Sequence, residues 1–324
     1  MHPQKKVITI SLSVSILLML AKFVAYFITS SNAILTDAAE SIVNVIASAF
    51  AFYSIYLSSR PRDINHPYGH GKVEFFSVFV EGVLILLAGM LIVFKSGYNL
   101  FFPHEITHLS QGAIIIAITG LVNAILAYYL LSSGRKLNSM TLQADGKHLL
   151  TDAISSAGLV AGLMLIYFTG INQLDSLLSI GLGFYIVNSG YRLVRKSVGG
   201  LMDESDVERI KEIAQVLNDN RKAAWIDIHN FRTQRYGADL HIDCHVTLPY
   251  YYDLNRVHEE VTLIDELVNK HVFEETEFFI HADPCIPKCC HYCSVENCKV
   301  RTAPKEKDIE WTFDKLVKDQ KHYA

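Results

Sequence analysis

The 324-residue chain holds no cysteine before Cys244, which excludes a disulfide framework spread through the fold. It also lacks an extended basic array. The 29 Lys and Arg are outnumbered by 33 Asp and Glu, for a net charge of −4, and nothing in their placement suggests a nucleic-acid partner. The opening MHPQKK leads into a long apolar run without a small-residue cleavage site, so a retained first span is expected rather than a cleaved signal peptide. No nucleophile–base set stands out, which argues against an enzyme. What the chain has in excess is hydrophobic length. Half of its residues are hydrophobic, 19% are charged, and mean hydropathy is +0.23. The apolar residues gather before Gly200 and the charges after it. This predicts a membrane domain over residues 1–200, a soluble domain over 201–284 and a tail over 285–324.

Six apolar segments are long enough to cross a bilayer, which takes about 20 residues: Val7–Thr29, Ala33–Leu57, Phe75–Phe94, Gly112–Leu131, Leu149–Thr169 and Leu174–Val194. Basic residues set their direction. Lys5 and Lys6 precede the first span. Arg60, Arg62 and Lys72 lie between the second and third, and Arg135, Lys136 and Lys147 between the fourth and fifth. Arg192, Arg195 and Lys196 close the sixth. The alternate loops carry almost none, apart from Lys95 at the end of the third span. Both termini and the soluble domain are therefore expected on the cytoplasmic side of the cell membrane.

Within that apolar frame, the stretch QADGKHLLTDAISS (residues 143–156) places His148 and Asp152 four residues apart, on one helical face. The second span carries Glu40 and Asn44 at the same spacing, with Asp37 a turn earlier. Ionisable groups at membrane depth cost several kcal/mol unless they line a polar cavity, and they read as a functional site by default. If the second and fifth spans pack together, Glu40, Asn44, His148 and Asp152 form a four-donor oxygen and nitrogen site suited to a divalent transition metal. The same groups bind protons, so the two compete. Lys22, in the first span, either neutralises a buried acid or snorkels to an edge.

The loop RPRDINHPYGHGKVE spaces Asp63, His66 and His70 by three and four residues, enough to hold one ion. The soluble part reads helix 204–217, strand 224–234, strand 239–248, helix 254–269, strand 276–282, an αββαβ sandwich. Histidines are scattered through it, and His241, Asp243 and His245 alternate onto one strand face. The tail crowds Cys285, Cys289, Cys290, Cys293 and Cys298, with His291, into fourteen residues. In a reducing compartment that density points to thiolate–metal ligation before redox chemistry. The final stretch is polar, with a helix expected around Trp311–Val317.

HxxxD on the fifth span, NHPYGHGK after the second, and RTQ…HIDCH…IHADP in the soluble part together resemble the cation diffusion facilitator family, of the bacterial iron and zinc efflux type, over about Val7 to Pro284. The resemblance implies six transmembrane helices followed by a cytosolic ferredoxin-like domain. It implies a homodimer that exports a divalent metal (Zn, Fe, Mn, Co or Cd) in exchange for protons as a secondary transporter. The transport site falls on Glu40, Asn44, His148 and Asp152, and the loop site on Asp63, His66 and His70. The cytosolic site, where zinc is expected, falls on His229, His245, His258, His281 and Asp283. Lys72 and Asp203 occupy the positions of an intersubunit salt bridge. The second-span pair departs from the family's pattern, which has Asp or His first and Asp second. Asn44 removes one charge and one protonatable group, and its neutral oxygen suits manganese, iron or cobalt better than zinc. Asp37 is a candidate for the missing charge. Asn44 is also what would support a transport-impaired membrane sensor of the same fold. The cysteine tail lies outside the family's pattern.

Overall fold

The computed structural model describes residues 3–29, 32–101, 109–169, 173–237, 239–271 and 276–322. Two compact units divide the chain, Met1–Met202 and Asp203–Ala324.

The first unit is six long helices: α1 Pro3–Thr29, α2 Asn32–Ser58, α3 Val73–Phe101, α4 Leu109–Lys136, α5 Met140–Thr169 and α6 Gln173–Leu201. At about 1.5 Å rise per residue, a 27-residue helix such as α1 reaches about 40 Å, beyond the roughly 30 Å hydrocarbon core of a bilayer. The side-chain distribution is the reverse of a soluble bundle. Ser11, Ser15, Lys22, Ser48, Glu74, Glu81, Asn123, Asp145 and His148 are buried, while Leu17, Phe27, Ile46, Leu91, Phe94 and Tyr128 face outward. Lipid accepts the apolar rim, and several of the polar groups pair inside, as Ser11 and Ser48 do with Asp145. Among the described residues, Pro3–Val24, Val73–Phe101 and Ala117–Lys136 are long and apolar enough to cross a membrane by themselves. Helix α5 is more polar because it carries Asp145, Lys147, His148 and Asp152 along its first half. It begins at Met140, so the QADGKH segment is helical rather than a loop before the span.

The closest pairings are α3 with α6, α4 with α5 and α1 with α2. Glycine makes the first possible. A Cβ added at Gly190 would sit 2.6 Å from the Leu86 backbone N and 2.8 Å from the Gly82 carbonyl, so the two backbones meet where only hydrogen fits.

The second unit runs α7 Val207–Asp219, β1 Asp227–Tyr236, β2 Asp239–Leu248, α8 Leu254–His271, β3 Thr276–Pro284, a 3-10 turn Pro287–His291 and α9 Phe313–Leu316. The αββαβ order matches expectation. Helix α7 starts later than the pattern suggested because the Asp206 side chain caps it, accepting the Arg209 N–H at 3.2 Å. The sheet order is β1-β2-β3, with β1 antiparallel and β3 parallel to β2. A parallel neighbour needs a crossover, which α8 supplies. Ile210, Ile213, Leu217, Ile228, Ile242 and Ile264 form the core. The tail belongs to this unit: Tyr292, Trp311 and Leu316 enter the same core, and the Arg221 guanidinium lies 4.0 Å over the Trp311 ring. The helix expected near Trp311–Val317 is the single turn α9.

Candidate metal centres

The membrane unit brings α2 and α5 together through three of the four expected donors. The Asn44 carboxamide donates to Asp152 Oδ2 at 2.7 Å, and its oxygen lies 3.1 Å from His148 Nε2. One amide thus bridges the imidazole and the carboxylate, which places Nε2–H of His148 as a donor to Asn44. His148 is buried, and its Nδ1 has no hydrogen-bond partner. His148 Nε2, the Asn44 oxygen and the Asp152 carboxylate are a donor set open to a cation once Nε2 gives up its proton. The expectations for Glu40 and Asp37 fall on α2, but their side chains lie outside the described residues.

Sequence reasoning passed over a second layer of buried carboxylates. Asp145, one turn before His148, is fully buried and accepts from Ser11 Oγ at 2.7 Å and Ser48 Oγ at 3.0 Å. Glu81 is buried with Ser77 Oγ 3.5 Å from Oε1 and no partner for Oε2. Glu74 accepts from Ser139 Oγ at 2.9 Å and from Ser58 Oγ at 3.3 Å, tying α3 to the start of α5. The signal was present in the small hydroxyl residues placed through apolar helices, which pairwise spacing within one helix does not reveal.

The loop after α2 closes on itself. Asp63 Oδ1 accepts the backbone N–H groups of Asn65 and His66 at 2.9 and 2.7 Å and lies 3.0 Å from His66 Nδ1. Asp63 Oδ2 lies 3.4 Å from His70 Nε2. The two rings are 4.3 Å apart, and Gly69, at φ +86°, makes the turn that stacks them. Local desolvation pushes the Asp63 carboxyl up. The backbone and ring of His66 and the Asn65 N–H outweigh it, so the group titrates below the usual carboxylate range. One donor atom from each of the three residues falls within 4.8 Å of the others.

In the second unit, strand register builds the third cluster. His229 pairs with His245 across β1 and β2, and His245 with His281 across β2 and β3. The three imidazoles therefore form a row across the sheet, with neighbouring centroids 5.2 and 4.7 Å apart. A bulge between His229 and Arg232, with Asn230 at φ 51°, bends β1 at this point. Asp283 ends the row: its carboxylate is 3.4 Å from His229 Nε2, 3.5 Å from His245 Nδ1 and 3.5 Å from His281 Nε2. Donors of His229, His245 and Asp283 lie within 4.8 Å of one another. Burial lowers the His229 imidazole below its ordinary value, which favours the neutral, ligating form, and its buried Nδ1 has no partner. This donor set fits a resident metal such as zinc. His258 is exposed on α8 and outside this close group. His241 shares its strand face with His245 but turns to Glu277, 3.2 Å away.

In the tail, Cys285, Cys289, Cys290, Cys293 and Cys298 are free thiols lining one recess, whereas His291 faces Glu306, 3.1 Å away. Lys72 belongs to the membrane unit, and Asp203 opens the other in a left-handed conformation, φ 56°.

A six-helix unit with donors held between two helices, joined to a small sheet domain carrying a histidine–aspartate cluster, is the build of a membrane metal transporter. Residues 8–202 match the cation efflux transmembrane domain, and residues 202–285 match the cation efflux protein, cytoplasmic domain. The chain belongs to the cation efflux family and is a divalent-metal exporter of the cell membrane. Among its relatives is the uncharacterized transporter sll1263 of Synechocystis, 32% identical over 268 residues, which cover 81% of this chain and 85% of the relative. The cation-efflux pump FieF of Escherichia coli O127:H6 is 26% identical over 83% of this chain and 89% of its own length. Protein p34 of Rickettsia prowazekii is 24% identical over 86% and 92%.

Proposed function

We propose that the protein is a homodimeric metal/proton antiporter whose cargo ion is held by Glu40, Asn44, His148 and Asp152. The reading rests on one observation: Asn44 of α2 contacts both His148 and Asp152 of α5 between two helices of an apolar unit. The bridge holds the donors together when no cation is bound. A cation entering from the cytoplasm takes the amide oxygen, imidazole nitrogen and carboxylate in place of that bridge. Protons from the far side then compete for His148 and Asp152 and release it. Alternating access needs only that metal and protons occupy the same donors in turn.

The loop donors Asp63, His66 and His70 collect the ion at the cytoplasmic face. His229, His245, His281 and Asp283 would hold a resident metal, zinc by donor type, with the exposed His258 of α8 as a further ligand; bound there, the metal would supply a crosslink between strands. Occupancy there biases the membrane unit through the dimer, for which Lys72 and Asp203 form the salt bridge between subunits. All six helices span, with both termini in the cytoplasm. The neutral Asn44 oxygen favours iron, manganese or cobalt over zinc as cargo.

The test is uptake into reconstituted vesicles of Zn, Fe, Mn, Co, Ni and Cd under an imposed pH gradient, with wild type and Asn44→Asp in parallel. Gradient-driven uptake by wild type, with a shift towards zinc in the variant, is expected. Uptake of none of the panel ions by either protein overturns the antiporter reading.

A further inference from the structure

The family match stops at residue 285, where the cysteine-rich segment begins. Five thiols, of Cys285, Cys289, Cys290, Cys293 and Cys298, line a single recess of about 110 Å³. Two ordinary readings fail on geometry. None of the five is in a disulfide. Nor are they gathered for a single ion: sulfurs bound to tetrahedral zinc at about 2.3 Å lie about 3.8 Å apart, whereas no three donor atoms of the tail fall within 4.8 Å of one another among the described residues. The recess is also several times larger than the roughly 10–15 Å³ that one water-sized body needs. Its remaining walls are mainly apolar and include Ile226, Pro249 and Val295. Thiols spread around a mainly apolar recess of this size fit a compact body of several atoms.

One of the five is already engaged. Cys289 is 1% exposed within the hydrophobic core, and its sulfur accepts the Tyr292 hydroxyl at 3.3 Å. The other four are spaced C-x4-C-x2-C-x4-C. Four thiolates are the ligand count of an iron–sulfur cluster; plant-type ferredoxins use C-x4-C-x2-C with a distant fourth cysteine for a [2Fe–2S] cluster, whereas here all four lie in one short segment around a recess of about 110 Å³, which favours the larger four-iron cube. The loop around them is braced for anionic sulfur. Arg301 donates to the carbonyls of Cys290, Cys293 and Val295 at 3.1, 3.0 and 2.7 Å, which sets a fixed positive charge beside the recess. The Thr302 hydroxyl lies 3.5 Å from the Cys290 sulfur. Hydrogen bonds to sulfur and nearby charge are what a protein uses to hold and tune an iron–sulfur cluster.

We propose that the tail binds a [4Fe–4S] cluster through Cys285, Cys290, Cys293 and Cys298, with Arg301 offsetting its negative charge. Cys285 extends β3 beyond Asp283, its N–H reaching the Leu248 carbonyl at 2.8 Å. The cluster is thus carried on the strand that supplies the carboxylate of the histidine cluster. The inference is independent of the transport mechanism.

The test is ligand exchange. Full-length protein in detergent is incubated without oxygen with a synthetic [4Fe–4S] cluster carrying four 2-mercaptoethanolate ligands. Each protein thiol that bonds to iron gives its proton to the departing thiolate, so no electron is gained or lost. The expected product is brown and holds about four iron and four sulfide per chain. Alanine at Cys285, Cys290, Cys293 or Cys298 is expected to lower incorporation at least tenfold in protein that elutes as wild type, while Cys289→Ala keeps it. Zinc taken up stoichiometrically by the tail in place of iron and sulfide overturns the proposal, as does wild-type protein that stays colourless. Loss with Cys289→Ala while one of the other four is dispensable overturns the ligand set.

Discussion

Asp283→Asn tests the cytosolic centre at its one negative group. Asp283 lies within 3.4–3.5 Å of three imidazoles and 3.7 Å from Lys321 Nζ. The substitution keeps size and one oxygen but removes the charge. Unit charges 4 Å apart interact by about 4 kcal/mol at an effective dielectric of 20 and by about 1 kcal/mol in water. With its side chain 19% exposed, Asp283 sits between these limits, so a loss of about 2–3 kcal/mol is expected for a bound cation. That is about a 30- to 150-fold weaker Kd. The assay is zinc titration of the detergent-solubilised chain against a competing chelator. A His66→Ala/Asp152→Ala background with alkylated cysteines removes the other sites. Affinity within twofold of the parent would refute the assignment of this cluster to metal.

Two further outcomes follow from the geometry. Because burial holds the folded His229 imidazole below its ordinary value of about 6.5, the unfolded metal-free chain takes up the proton first as pH falls. Stability from this group is therefore full above that ordinary value and is lost as pH falls from it through the lower folded value. His229→Gln is expected to flatten this part of the thermal-midpoint profile in EDTA, and an unchanged slope would count against it. Gly190→Val forces a Cβ to within 2.6 Å of the α3 backbone; overpacking of this kind costs about 1–3 kcal/mol. A lower thermal midpoint in detergent is expected, and a variant as stable as wild type would show that α3 and α6 do not meet closely there.

Much of this architecture could be read from residues alone, for local reasons. Apolar length marks a membrane helix whatever surrounds it, and the αββαβ order follows from alternation and helical periodicity within short windows. The loop site was legible because Asp63, His66 and His70 close through a turn of their own, with Gly69 in between. The row of His229, His245 and His281 was not legible from spacing, since it depends on strand register and on a bulge at Asn230; the family resemblance alone named its residues. Asp145 was missed because a polar helix start reads as surface, whereas here Ser11 of α1 and Ser48 of α2 enclose it. The tail was set apart by composition, but its aromatic residues return it to the sheet domain's core.

The proposed antiport requires donors of α2 and α5 to share one cargo ion. The direct measurement is metal-dependent proton flux in proteoliposomes for Asp152→Ala, the residue that Asn44 contacts at 2.7 Å. Flux is expected to vanish while the protein still elutes as a dimer; flux equal to wild type would contradict the shared site.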